Sequence, residues 1–420
     1  MSQSEPATKT ITIPQQNTFT YRELWELRKR RFYKFLKFLI PCILALILLY
    51  LGLHIFYYLR AQKMLSKIAH LPTSNQLNQT YDSLASTDIY HDYNNILSPI
   101  QTPVDLTANV PFYDSDANQV LAIATPLAPI YRTAIQKLLD HNKQYLDQFQ
   151  SLTYQGPVRY AGDYNAPFSI LTPHLGYINA ATKLYHLRAF LYFQNNQPQL
   201  ATNDILSIIQ LQHSLLHEPN TMSQFVRRAI FFRHIEPLIT DAILNNLFTA
   251  THLIQIQQAL QADPPDPKQT FQYCLDYEYN TARQVIHNPD LLGSNRAVQY
   301  YNINTSAILW KYTYIKHIDR YHIYNLYHQL NLQLSKNDFN FTWVDKYLET
   351  TDNVSSRCIV IRGLTPIFSA IYPKHQQHLS LHNELLITIA EHRYFLDHNK
   401  YPEDNSQLIP HYLKEPPANQ

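Results

Sequence analysis

Three histidines, His375, His378 and His382, stand at i, i+3 and i+7, a spacing that stacks them on one face of a helix. Imidazoles so arranged can hold zinc or a similar ion, with Glu384 or Glu391 as an extra or outer ligand if the chain bends. Nothing nearby completes a known pattern, since the chain has no Cys-x-x-Cys and no His-Glu-x-x-His. Histidine is also plentiful, 20 of 420 residues. The expectation is therefore a solvated histidine-rich face, and the three are kept only as a weak metal candidate. No catalytic residue and no cofactor follows from the sequence.

A second polar group, His317, Asp319, Arg320, His322 and His328, falls on an expected helix and reads as a hydrated face with local ion pairs. Asp114-Ser115-Asp116 is the chain's one Asp-x-Asp, a pattern that sugar-nucleotide transferases use to grip a divalent ion. It lies in a linker-like region without the glycine-bearing α/β surroundings such enzymes need, so chance is the expected origin. Asn78, Asn304, Asn340 and Asn353 each begin an Asn-x-Ser/Thr sequon, as an Asn-rich chain will produce by accident. Cys274 and Cys358 could pair only if their Cα atoms come within about 7 Å. Gly-x-Ser-x-Gly, Walker A and Rossmann fingerprints do not occur. With 6 glycines in all, a phosphate-cradling nucleotide fold is disfavoured.

The elements that would position these groups start from the anchor. Phe38 to Leu59 is a run of 22 residues without Asp, Glu, Lys or Arg. As a helix it spans roughly 33 Å, enough for a bilayer core. The rest of the chain holds no second segment like it, and mean hydropathy is −0.31. Arg28, Lys29, Arg30, Arg31, Lys34 and Lys37 precede it; Arg60, Lys63 and Lys67 follow. The positive-inside rule then keeps the N-terminal tail in the cytoplasm and exports what lies beyond. Phe56, Tyr57 and Tyr58 sit where an outer aromatic belt belongs, and Pro41 is tolerated in a membrane helix. A cleaved signal peptide is not expected, because the apolar core is too long and no A-x-A site follows. Residues 1–60 carry 9 Lys/Arg against 3 Asp/Glu, which leaves 25 against 29 beyond them. An exported part with that acidic excess offers no basic face for nucleic acid.

The anchor helix is expected to run on to about His70, stopped by Leu71-Pro72, with a polar stem or linker from Thr73 to about Val110. Beyond it, helices dominate. Pro126 to Gln150 is one, followed by a Gly- and Pro-marked loop from Ser151 to Pro173. Tyr177 to Phe193 and a second helix opened by Pro198 are joined by the turn Asn195-Asn196-Gln197. Ala201, Ile205, Ile208 and Leu215 share a face of that second helix, and the pair resembles one tetratricopeptide-like unit. No second copy recurs at a fixed period. Thr221 can cap the next helix, which Pro237 must kink or split. Thr251 to Gln261 and Lys268 to His287 are further helices. Ile323, Leu326, Leu330 and Leu334 mark the late part of another, and Tyr401-Pro402 closes one that begins near His375. Arg357 to Ile361 is the best strand candidate. The fold class is mostly α, divided into a basic tail over 1–37, a transmembrane helix over 38–59, a juxtamembrane helix and linker over 60–115 and a helical exported domain over 116–420.

Three stretches resemble an uncharacterised family of bacterial envelope proteins common in planctomycetes, with one N-terminal anchor and a helical exported domain. They are Leu175 to Leu238, including Ser223, Arg227 and Ala229; Tyr301-Asn302-Ile303-Asn304-Thr305, where Ile303 replaces the family's usual proline; and Glu391-His392-Arg393-Tyr394 with Asn399-Lys400-Tyr401-Pro402, Leu408-Ile409-Pro410, Tyr412-Leu413 and Pro416. The last stretch is also similar to the end segments of pseudopilins, although their short leader and early Glu are missing. The resemblance implies a fold and a place, and no catalytic residue. Relatives usually continue past the final proline, whereas this chain stops at Gln420.

These readings converge on a single-pass protein of the bacterial inner membrane, with its N-terminus cytoplasmic and its C-terminal domain periplasmic. The expected role is that of an interaction or scaffold module, with the lipid bilayer and a protein or peptide as partners, and neither nucleic acid nor nucleotide. The competing reading is a membrane-tethered enzyme, either a hydrolase using a metal on His375, His378 and His382 or a glycosyltransferase using Asp114 and Asp116.

Overall fold

The computed structural model describes residues 21–87, 89–107, 110, 122–152, 156–162, 164, 172–262, 264–288, 313–336, 346 and 359–414; at 21–24, 27, 104 and 359–372 only the backbone is described. Among these residues there is no strand, only an isolated parallel bridge between Ser86 and Val158. The chain divides into two compact units, 1–59 and 60–420.

In the first unit the apolar run lies within α1, Tyr21–Lys67. Leu44, Leu46, Leu48 and Leu49 are all exposed there, which in water would be a heavy cost for side chains of this size. Among the described residues this is the one helix long and apolar enough to cross a membrane.

The second unit begins with helices where a linker was expected. α2 (Ser74–Leu84) is started by a capping box, in which Thr73 accepts from the Gln76 amide and the Gln76 side chain accepts from the Thr73 amide. α3 (Tyr90–Leu97) and the short α4 (Val104–Thr107) follow. Leu77, Tyr81, Tyr93 and Leu97 are buried; a few large side chains at helical spacing carry these elements through an otherwise polar sequence. Asn142 fixes the turn after α3, since its amide nitrogen donates to the Gln101 carbonyl at 2.8 Å while its oxygen accepts from the Gln101 amide at 2.9 Å.

The centre of the unit is α5 (Pro129–Gln150) with the hairpin of α6 (Pro173–Gln194) and α7 (Pro198–Ser214). Ala201, Ile205, Ile208 and Leu215 are all buried in the main core, as the helical spacing requires. Asn196 turns the hairpin with φ 56, and the Gln197 amide reaches back to the Tyr192 carbonyl at 2.8 Å, closing a Schellman motif. Asn246 and Asn399, at φ 53 and 54, follow two other helix ends. Asparagine thus fills left-handed positions that glycine usually takes, which is how a helical chain manages with so few glycines.

α8 (Thr221–Ile230) is capped by Asn220, not Thr221. It runs into a π-helical turn, Phe231–Ile235, before α9 (Glu236–Leu244) with Pro237 in its first turn. The expected break at Pro237 is absorbed there, because the wide turn relieves the missing amide. Then come α10 (Ala250–Gln261), capped by Thr249, and α11 (Pro267–His287), capped by Asp266. α12 (Ile315–Leu334) and α13 (Ile359–His398) complete the unit with a short 3-10 turn, Asn405–Leu408. α13 begins well before His375, and Ile359 to Ile361 are helical, which overturns the strand expected at 357–361; Arg357 and Cys358 lie outside the described residues. Two cores result. The larger joins α5 to α10 with Leu385, Leu386 and Ile389 of α13, and the smaller packs Met64, Ile68 and Leu71 against α11 and α12.

Candidate functional site

His375, His378 and His382 are not solvated: they retain 3%, 1% and 3% of their exposure. The helical count explains it. Leu385, Leu386 and Ile389 are buried on α13, and stepping back from them by three and four residues lands on His382, His378 and His375. The histidines extend the apolar face into the domain. Phe231 and Phe232 receive them, with ring centroids 4.7 Å and 5.9 Å from His378, and Phe231 lies 5.8 Å from His382. His382 Nε2 donates to the Leu260 carbonyl at 3.2 Å. The His378 Nε2 lies 3.5 Å from the Gln212 amide nitrogen. His375 Nε2, His378 Nδ1 and His382 Nδ1 are buried without a hydrogen-bond partner among the described residues.

His213, near the end of α7, and Arg227 of α8 complete this layer, and both are buried. Burial first, and the Arg227 charge second, hold His213 and His375 down at about 3 and His378 well below its ordinary value. His382 is lowered to about 4, chiefly by burial, with the Leu260 bond pulling the other way. The charges acting on these rings are Arg227, Arg228 and one another. At neutral pH all four imidazoles are therefore uncharged. Among the described residues no group of three His, Cys, Asp or Glu side chains is placed to hold a metal ion.

A second buried set does the opposite. Arg188 of α6 donates from Nε to both oxygens of Asp204 on α7, at 3.1 and 2.9 Å, and from Nη2 at 2.6 Å. Its Nη1 reaches Asp147 of α5 at 2.8 Å, and Gln150 donates to Asp204 at 3.2 Å. Burial pushes the Asp204 carboxyl up to about 6 against the pull of Arg188, so it stays ionised at neutral pH. Further on, His174 Nε2 sits 3.1 and 3.0 Å from the Glu218 oxygens, stacked on Tyr160 at 4.2 Å. Tyr160 in turn donates to Ser214 Oγ at 2.8 Å. Gln224 ties off the end of α7 by donating to the carbonyls of Leu215, Leu216 and Glu218. Sequence spacing missed all of these, because their members come from separate helices.

The second polar group also departs from expectation: His317 and Asp319 are buried in α12 and not on a hydrated face, while Arg320, His322 and His328 are half-buried. Asp114 and Asp116 lie outside the described residues, as do Tyr301 to Thr305 and the sequons at Asn304, Asn340 and Asn353. Asn78 is half-buried, and its Oδ1 accepts from the Tyr164 amide at 3.2 Å. Cys274 is buried, and burial raises its thiol.

Fold and site together define a class: a compact helical unit that follows one long apolar helix in the chain, with ionisable groups held in its interior. Comparison with protein-family models, curated proteins and solved structures finds no match.

Proposed function

We propose that this chain is a single-pass protein of the bacterial envelope whose helical domain, exported to the periplasm, works by binding protein or peptide partners. The exposed apolar length of α1 supports the anchor, and the basic block before it supports an N-terminus in the cytoplasm. The α6–α7 hairpin supports a tetratricopeptide-like unit at the heart of the domain, a geometry suited to partner surfaces. The observation that carries the scaffold reading is the fate of the polar side chains: Arg188, Asp204, His174 and Glu218 are spent on one another inside the fold. The resemblance to planctomycete envelope proteins is part of the same proposal. Phosphatase fused after Gln420 tests topology and is expected to be active; an inactive fusion together with an active one near residue 20 reverses the orientation. Crosslinking in intact cells is expected to trap a partner on the α6–α7 side, and its failure across several positions removes the scaffold reading.

A further inference from the structure

The last stretch of the chain supplies a feature that the scaffold reading does not use. Gln257, Gln258 and Gln261 of α10, Arg393 of α13, and His411 and Lys414 after the 3-10 turn surround a cavity of about 470 Å³, within the range of small-ligand sites. Three of its lining side chains are basic, and among the described residues no Asp or Glu lines it.

Arg393 is held in place by neutral groups. Its Nη1 donates to Gln257 Oε1 at 2.6 Å, and its guanidinium carbon lies 5.3 Å from the centre of the Tyr412 ring. The other end of Gln257 donates to the Tyr412 carbonyl at 2.6 Å, which locks the amide that orients the arginine. The carboxylate one turn along, Asp397, accepts the Tyr412 hydroxyl at 2.7 Å. A guanidinium has five N–H donors, and among the described residues Gln257 takes a single one. Nε is buried and without a hydrogen-bond partner. Burial lowers the pKa of Arg393, against the opposing pull of Asp397, so the cation is already partly stripped of water. The remaining Nη1 and Nη2 donors, fixed in direction on a partly desolvated guanidinium, match two oxygens of a carboxylate or phosphate. His411 and Lys414 are exposed at the rim, where Lys414 adds long-range attraction for an anion.

We propose that this cavity is a binding site for a small oxyanion, a carboxylate or phosphate group, gripped by Arg393 and drawn in by Lys414, with His411 beside it at the rim. The site is independent of topology and of any partner on the α6–α7 side. Its test uses the full chain in detergent micelles, titrated by calorimetry with inorganic phosphate and, separately, with acetate, at ionic strength held constant with chloride. Saturable binding is expected with at least one of the two, and the stronger arm tells phosphate from carboxylate. Arg393→Gln is expected to weaken binding by roughly tenfold or more. Since Arg393 also braces Tyr412, the exposed Lys414→Glu gives the second arm: several-fold weaker binding with an unchanged melting temperature. Absence of saturable binding to both anions overturns the proposal, as does binding that both variants leave unchanged.

Discussion

Arg188 and Arg227 are both buried cations in one domain, yet the titratable groups packed around them behave differently. Around Arg188, two elements deliver three acceptors: Asp147 and, at its end, Gln150 from α5, and Asp204 from α7. Around Arg227, the same α7 with α13 delivers His213, His375, His378 and His382. In the first region charge is matched by charge. In the second, the four imidazoles avoid a clash with Arg227 by giving up their protons, which costs each ring its charged form. The difference shows that a buried ionisable side chain is not evidence of a site by itself. What matters is whether its partners neutralise it, silence it or leave its donors open, as they do at Arg393.

The comparison breaks most visibly if a new charge is placed in the matched region without a partner. Ile205 adjoins Asp204 and is fully buried in the main core. Ile205→Asp removes apolar contact and strands a second carboxylate, so about 4–5 kcal/mol of destabilisation is expected in urea denaturation, enough to prevent folding. Ile205→Val, at about 1 kcal/mol, supplies the readable end of the series. If the aspartate is tolerated, the interior of the α6–α7 hairpin is wetter than its packing implies.

Removing the cation comes next. Arg188→Met leaves Asp204 with Gln150 alone and is expected to cost about 3 kcal/mol. The double change Arg188→Met with Asp204→Leu is expected to recover most of that, because two apolar side chains can replace a buried ion pair at little loss. A double variant as unstable as the single one would mean that Arg188 matters through Asp147 and the tyrosines beside it, and the pairing argument would fail.

The apolar half of this architecture was legible in the sequence and the polar half was not, for a physical reason. Ala201, Ile205 and Ile208 announce a face because like residues recur at the helical period, and Pro198 and Pro237 mark breaks because a missing amide acts locally. Histidine carries no such sign: it is taken for surface when counted as polar, although His378 and His382 continue the face of Leu385 and Ile389. The Arg188–Asp204 pair and the Gln257–Arg393–Tyr412 brace join distant helices, and no spacing rule reaches across a fold. Thr73 to Val110 reads as linker because few of its residues are apolar, although Leu77, Tyr81 and Tyr93 suffice to bury its helices.

The smallest expected effect sharpens the silent side of the comparison. His382 has its ordinary value of 6.5 lowered to about 4, by burial first and Arg227 with it. The unfolded chain therefore takes up this proton before the folded one does as pH falls. The stability associated with a neutral His382 is full above about 6.5, drains away between there and about 4, and is level below. By pH 5 one such ring costs on the order of 2 kcal/mol. Asp204, raised to about 6, and Asp276, raised to about 7, work in the opposite sense, gaining stability as pH falls through those values. The raw profile of the domain mixes the two, so the informative quantity is a difference between proteins. His382→Gln keeps an amide donor for the Leu260 carbonyl and removes the titration. At pH 7.5 the variant is expected within about 1 kcal/mol of the parent, and by pH 5 it should have gained on the parent by on the order of 2 kcal/mol. Parallel urea-denaturation profiles across that range would mean that the ring charges freely where it stands and that burial beside Arg227 does not hold its proton off.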